Sequence, residues 1–357
     1  MEKRNRQVKK LRVAVIGCGR IFSVYEGAFL KLADEMELVL AMDKEISRAQ
    51  AAAAGRPGCI ASDRVGILEF KDILNRVKPD LIHILLPHFL HGRYGMAAME
   101  CGVHVLTEKP VTITLSEADE LIAVQKKTGM QLGVIFQNRY INGVQRVRRL
   151  IESGELGTVK GAFSTLNWFR PPSYYECDWK GKWETEGGGV IIDQAIHSID
   201  LVRYMTGLEA VKIMGHTARR VLTGIEVEDE ADAAIWLDNG AVYSFYACNY
   251  FTTNSPIRVE ISCENGAAVL THDLMEISWK DGRREEILPD ADGSGRGESY
   301  WGSCHYTQIS QCYHALMEGR PMPWAPEDAK KTLAIVQGIY ESARIQGAVD
   351  PRGTVEL

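Results

Sequence analysis

The sequence predicts an α/β protein: a doubly wound parallel sheet first, then an α/β domain with a mostly antiparallel sheet. Three observations carry this. Up to about residue 137, short apolar runs without alternation are separated by helical patterns, as strands buried on both faces of a parallel sheet require. After residue 150 the runs alternate, as in a sheet with one covered face. The chain has 357 residues, enough for two sizeable cores. The boundary is placed near Gln137, giving residues 1–137 and 138–357.

The elements follow in order. Leu11 to Ile16 is an apolar run that breaks at GCGRIF, a strand feeding a glycine turn and a helix from about Ile21 to Leu32. Met36 to Met42 is the next strand and ends at Asp43; an alanine-rich helix runs on to about Ala54. Residues 66–76 are helical in pattern. Leu81 to Leu86 is a strand stopped by Pro87, followed by a helix from Gly92 to Glu100. Val103 to Thr107 leads into Glu108, Lys109 and Pro110; a helix from Leu115 to Thr128 and a strand from Gln131 to Phe136 complete the first part. Ligands of such sheets bind at the carboxyl ends of the strands, where the glycine turn, Asp43, Pro87 and Lys109 all fall.

In the second part, strands are predicted over Thr158–Trp168, Val211–Thr217, Asp229–Leu237, Ala241–Cys248, Arg258–Cys263 and Ala267–Thr271, with a hairpin turn at Asp238, Asn239 and Gly240. Two helices, about Tyr306–Met317 and Pro326–Arg344, close the chain.

Composition excludes several classes. A formal net charge of −6 argues against a nucleic-acid partner. The opening MEKRNRQVKK is basic and is read as frayed. The run LRVAVIG is too short for a signal-peptide core or a membrane span, so a cytoplasmic protein without membrane attachment is expected. Eight scattered cysteines with no CxxC read as thiols. Cys304, His305, Cys312 and His314 fit no common zinc spacing and are read as helix-packing residues, so no metal is expected.

The first turn carries chemistry. Gly17 and Gly19 give a tight turn whose backbone can touch a pyrophosphate at a helix N-terminus. Phe22 stands where GxGxxG has its third glycine. Asp43 ends the next strand where a ribose-binding acid belongs, which favours NAD over NADP, although Lys44 is adjacent.

The stretch GGGVIIDQAIHSID, Gly187 to Asp200, is the candidate for proton-transfer chemistry. Its apolar residues recur at helical spacing, predicting a helix that opens after the glycines and sets Asp193, His197 and Asp200 on one face. A carboxylate one turn from an imidazole suits proton transfer near neutral pH. Gly187, Gly188 and Gly189 would let a flat ligand approach the backbone. A buried helix with a solvated or internally paired polar stripe gives the same pattern. Just upstream, Trp168, Arg170, Tyr174, Tyr175, Trp179 and Trp183 offer aromatic faces and a guanidinium for a sugar ring; a packed loop or a subunit contact would use the same residues.

The order GCGRI, AMD, HILLPHFLH, HVLTEKP, FQNRY and GGGVIIDQAIHSID resembles the Gfo/Idh/MocA family of sugar and cyclitol oxidoreductases over nearly the whole chain. The resemblance implies a Rossmann domain and then an α/β domain whose large open sheet builds dimers or tetramers. It implies that Lys109 lies between nicotinamide and substrate and that Asp193 and His197 are catalytic. It extends the cofactor contacts to Arg20, Ile21, Leu86, Pro87, His91, Glu108 and Asn138, and the substrate contacts to Arg170, Tyr175 and Trp183. Leu86 and His88 replace the Thr or Ser and the Asn usual around Pro87, and Tyr25 stands where a histidine is often found. The expected activity is NAD-dependent oxidation of a ring hydroxyl of a sugar, glycoside or inositol, with His197 as base, Asp193 orienting the reacting group and Lys109 stabilising negative charge. An NAD-dependent glycosidase and a non-catalytic sugar sensor are the alternatives.

Overall fold

A computed structural model describes residues 10–289 and 304–353; residues 1–9 of the opening basic stretch lie outside them. The first sheet holds β1 (Leu11–Ile16), β2 (Met36–Met42), β3 (Ile60–Ser62), β4 (Leu81–Ile84), β5 (His104–Thr107) and β6 (Leu132–Val134). All its pairings are parallel, in the order β3-β2-β1-β4-β5-β6. Both faces of β1 are covered, which explains its unbroken apolar run. Val13 and Val15 enter one core with Phe22, Tyr25 and Phe29 of α1 (Phe22–Lys31). Ala14 and Ile16 enter the other, with residues of α3 (Ile67–Val77), α4 (His91–Glu100) and α5 (Leu115–Thr128). Helix α2 (Ile46–Ala53) links β2 to β3. The strand expected over Leu81–Leu86 stops at Ile84, because Leu85 and Leu86 turn toward the glycine loop.

After α6 (Asn142–Glu152) the second sheet begins with β7 (Val159–Asn167). The short α7 (Trp183–Glu186) and then α8 (Ile196–Thr206) precede β8 (Ala210–Ala218), β9 (Glu230–Leu237), β10 (Val242–Cys248), β11 (Arg258–Cys263), β12 (Gly266–Thr271), β13 (Leu274–Trp279) and β14 (Arg284–Ile287). The order is β14-β13-β12-β11-β7-β10-β9-β8; only β7–β10 is parallel. Three strands, β3, β13 and β14, were not predicted. Two of them, β3 and β14, are short and lie at sheet edges, where half-exposed residues give little apolar signal.

The chain then crosses back. Helix α9 (His305–Met317) places Ile309, Cys312 and Tyr313 in the core shared by α1 and the first sheet. Helix α10 (Pro326–Ile345) packs on both α5 and β8. Helix α10 thus bridges the two sheets, and the segments after β4 and β5 bring His88 and Lys109 to Asp193, just before α8. Among the described residues, no helix is long and apolar enough to cross a membrane.

Candidate active site

At the nucleotide end, Gly17 has φ +93°, and a Cβ there would overlap the Leu85 carbonyl, so only glycine suits the turn. A Cβ at Gly19 would meet nothing within 4 Å, so this face is open. Helix α1 starts without a side-chain cap and without an acid in its first turn; its positive dipole end suits an anion. Ile21 is the residue before its first turn. Asp43, buried at the end of β2, ties the turn down: it accepts from the Cys18 N–H at 2.7 Å and the Glu45 N–H at 2.9 Å. An ionised carboxylate has further lone pairs for ribose hydroxyls. These residues fit a dinucleotide with its diphosphate at Gly19 and its ribose at Asp43. Across the cleft, the Arg20 guanidinium lies 5.7 Å from the Tyr174 ring, and Lys44 pairs with Asp178 at 2.8 Å.

At the other end, Lys109 follows β5, and its peptide bond to Pro110 is cis. Its ammonium donates to the Asp193 backbone carbonyl at 2.5 Å and lies 3.6 Å from Oδ1 of the same residue. The Asp193 carboxylate has two unlike oxygens. Oδ2 accepts from Lys180 at 2.5 Å, Tyr174 Oη at 2.7 Å and Gln194 at 2.7 Å. Oδ1 faces Lys109 and His88 Nε2, both at 3.6 Å. Burial opposes the charge on Asp193, but Lys180, Lys109 and His88 together hold its pKa well below the usual carboxylate range.

His197 is largely buried, and its Nδ1 has no hydrogen-bond partner. Burial, then the nearby positive charge of Lys109, push its pKa well down. It is therefore neutral at neutral pH and keeps a lone pair for a proton. The expected stripe of Asp193, His197 and Asp200 is not formed. Ile191–Ala195 is a π-helical turn, wider than an α-turn, and regular α8 begins only at Ile196. Asp200 instead lies in the core, accepting from Arg139 at 2.7 and 2.5 Å and from Thr332 at 2.9 Å. Asp200 is thus internally paired, Asp193 is paired mainly through Oδ2, and His197 Nδ1 has no partner.

The glycines also serve the chain itself. A Cβ at Gly187 would crowd Ile113, one at Gly188 would overlap Tyr340 Oη, and one at Gly189 would overlap the Glu228 carbonyl. The space expected for a flat ligand is filled by protein. The buried Glu228 carboxylate accepts from the N–H groups of Gly189 at 2.8 Å and Ile191 at 3.0 Å, and from Tyr340 Oη at 2.9 Å. It thereby caps the turn that carries Asp193.

Other expected residues find definite places. His91 spans the carbonyls of Pro110 at 2.7 Å and Leu86 at 2.8 Å, bracing the Pro87 turn against the Lys109 segment. Burial lowers its pKa to about 3, so the ring is neutral and donates to one carbonyl only. Glu108, next to Lys109 in the chain, accepts from Tyr25 Oη at 2.6 Å and lies 3.8 Å from His305; burial raises its pKa. Asn138 has a buried side-chain oxygen without a partner. Arg170 is buried between the rings of Trp168 and Tyr174, 4.6 and 5.1 Å from them, and donates to Asn254 at 3.0 Å. Tyr175 Oη accepts from Asn249 at 2.9 Å. Trp183 packs edge-on against Tyr340, and its indole N–H donates to the Glu226 carbonyl at 3.2 Å; neither contact joins it to Lys109 or Asp193.

Sequence reasoning missed Lys180, Glu186, Glu228 and the place of His305. Lys180 sits in the run CDWKGK, where no motif or periodicity marks it. His305 was grouped with Cys304, Cys312 and His314 as helix packing; it is buried at the start of α9, beside Glu108. Among the described residues, no group of three or more His, Cys, Asp or Glu could hold a metal ion.

Comparison with known proteins agrees with this layout. Residues 11–136 match the oxidoreductase family with an NAD-binding Rossmann fold, and residues 144–269 match the GFO/IDH/MocA C-terminal domain. The chain is 30% identical over 220 residues to D-glucoside 3-dehydrogenase of Escherichia coli (strain K12), covering 60% of this chain and 59% of that protein. It is 27% identical over 296 residues to the NAD(+)-dependent scyllo-inositol 2-dehydrogenase of Bacillus subtilis (strain 168), covering 79% and 80%. The WlbA dehydrogenase of Bordetella pertussis, solved with NADH and UDP-GlcNAcA, superposes with a TM-score of 0.81 at 25% identity, covering 96% of this chain and 99% of that one. With a Rossmann domain that binds NAD and a second domain of the matching type, this chain belongs to the Gfo/Idh/MocA family of oxidoreductases.

Proposed function

We propose that this protein is an NAD-dependent dehydrogenase for a ring secondary hydroxyl of a sugar, glycoside or cyclitol, with C3 of a glucose-type ring the first candidate. The observation that carries this is the asymmetry of the Asp193 carboxylate: Oδ2 is filled by three donors, and Oδ1 faces Lys109 and His88. The relatives that act on a glucoside and an inositol support the substrate class.

Oxidation of the alcohol removes a hydride from carbon and a proton from oxygen, giving a ketone. Gly17, Gly19 and Asp43 would hold NAD, which would supply the hydride acceptor. Asp193 Oδ1 accepts the hydrogen bond of a neighbouring or reacting hydroxyl and fixes the ring. His197, neutral and with its Nδ1 unpartnered, takes the proton. Lys109 stabilises the developing alkoxide, and its bond to the Asp193 carbonyl keeps the ammonium in place. Arg170 and Tyr175 shape the sugar wall from the loop before α7.

The test is incubation with NAD and a panel of glucosides, free sugars and inositols, following NADH absorbance and product mass. A keto product two hydrogens lighter than its substrate supports the reading. Release of an aglycone without net NADH indicates the glycosidase alternative, and no turnover on any member speaks for a sensor.

A further inference from the structure

We infer that Lys180 is a positioning residue of this reaction: it clamps Oδ2 of Asp193 and so reserves Oδ1 for the substrate hydroxyl. This rests on the dehydrogenase reading above. The Lys180 ammonium lies 2.5 Å from Asp193 Oδ2 and 3.3 Å from Glu186 Oε1. Its side chain is 12% exposed, and it sits 4.5 Å from the Tyr174 ring centre and 4.4 Å from that of Trp179. A lysine held this deep needs its carboxylate partners. Glu186 is in turn fixed by the Gly181 N–H at 2.5 Å, so the clamp is anchored to its own loop.

The two lysines reach Asp193 from different walls, Lys109 from the end of β5 and Lys180 from the loop before α7. The charged and titratable groups facing Asp193 are Lys109, Lys180, His88 and Tyr174, with His197 and Glu186 acting at longer range. A carboxylate bound through Oδ2 by Lys180, Tyr174 and Gln194 cannot rotate freely, so Oδ1 keeps one direction. The Lys180 charge also favours the ionised form, the only form whose Oδ1 is purely an acceptor. Without that charge, Asp193 holds a proton at higher pH.

The experiment compares Lys180→Met, Lys180→Gln and Lys180→Arg with the wild type. It reads the pH profile of kcat/KM and the titration of the Asp193 carboxyl by carbon NMR, assigned with Asp193→Asn. Both neutral variants should move the acid limb and the Asp193 titration upward by ~1–3 pH units, and Lys180→Arg should restore most of the wild-type profile. A folded Met or Gln variant with an unmoved limb and titration overturns the proposal. So does a wild-type Asp193 that titrates at or above the ordinary carboxylate value, which needs no variant. If the wild type oxidises no member of the panel, the dehydrogenase reading fails by itself, and the carboxyl titration still decides whether Lys180 controls Asp193.

Discussion

The Lys109 ammonium donates to the backbone carbonyl of Asp193 at 2.5 Å, joining the end of a parallel strand to the turn that opens α8. One hydrogen bond therefore ties the first domain to the second at the proposed reaction site. The neighbouring Glu108 accepts from Tyr25 Oη at 2.6 Å.

Replacing His197 with Ala removes the proposed base and leaves the nucleotide turn intact. Turnover should fall ~10²–10⁴-fold with NAD affinity nearly unchanged. Lys109→Ala should cost a comparable factor, and the double variant should lose less than the product of the two, because both act on one proton transfer. Turnover and melting temperature measured on the same preparations check this; a stable, fully active His197→Ala enzyme ends the assignment.

We expect Asp43 to set cofactor choice. A 2′-phosphate beside its carboxylate meets like charge at close range, so NADPH should bind more weakly than NADH in calorimetry. Asp43→Ala should narrow that gap. It should also cost about 1–3 kcal/mol of stability, because the Cys18 and Glu45 N–H groups lose their acceptor.

Gly188→Ala tests the seat of the catalytic turn. Gly188 has φ +143°, and a Cβ would overlap Tyr340 Oη, which is held by Glu228. Backbone strain and overpacking together should cost on the order of 2–5 kcal/mol, seen as a lower urea midpoint. An unchanged midpoint would show that Tyr340 can move aside.

His83 is buried, with Nε2 2.7 Å from Tyr313 Oη, and burial lowers its pKa from 6.5 to about 3. Its folded-state value lies below the unfolded one, so between pH 6.5 and 3 the unfolded chain binds the extra proton. Its contribution is fully present above pH 6.5 and is lost as pH falls. His83→Phe should remove this dependence. The stability of the variant relative to wild type should rise by ~1.4 kcal/mol per pH unit on acidification below 6.5. Urea unfolding at two pH values measures it, and a pH-independent difference would refute it.

The second sheet carries exposed apolar side chains, Phe163 on β7 at 38% and Met214 on β8 at 51%. Such residues suit a subunit contact, so a dimer or tetramer is expected. Light scattering at micromolar concentration decides; Phe163→Glu with Met214→Glu should shift any oligomer toward monomer.

The sequence by itself determined the parallel sheet, the glycine turn, Asp43 and the EKP lysine. Each depends on local pattern: an apolar run buried on both faces, a turn that needs Gly17, a side chain at a strand end. It also determined the positions of Asp193 and His197, but not the company they keep. A regular helix would have put Asp200 with them; the π-helical turn and the pull of Arg139 sent it into the core, because that buried guanidinium needs a carboxylate. Only tertiary structure brought Lys180 and His88 to Asp193, His305 to Glu108, and Glu228 to the glycine turn. These pairs are separated by 13 to 197 residues along the chain. No local periodicity marks such partners, since what selects them is the desolvation of a charge that another charge or hydrogen bond must offset, and that arises only once the two sheets and the returning helices have closed around it.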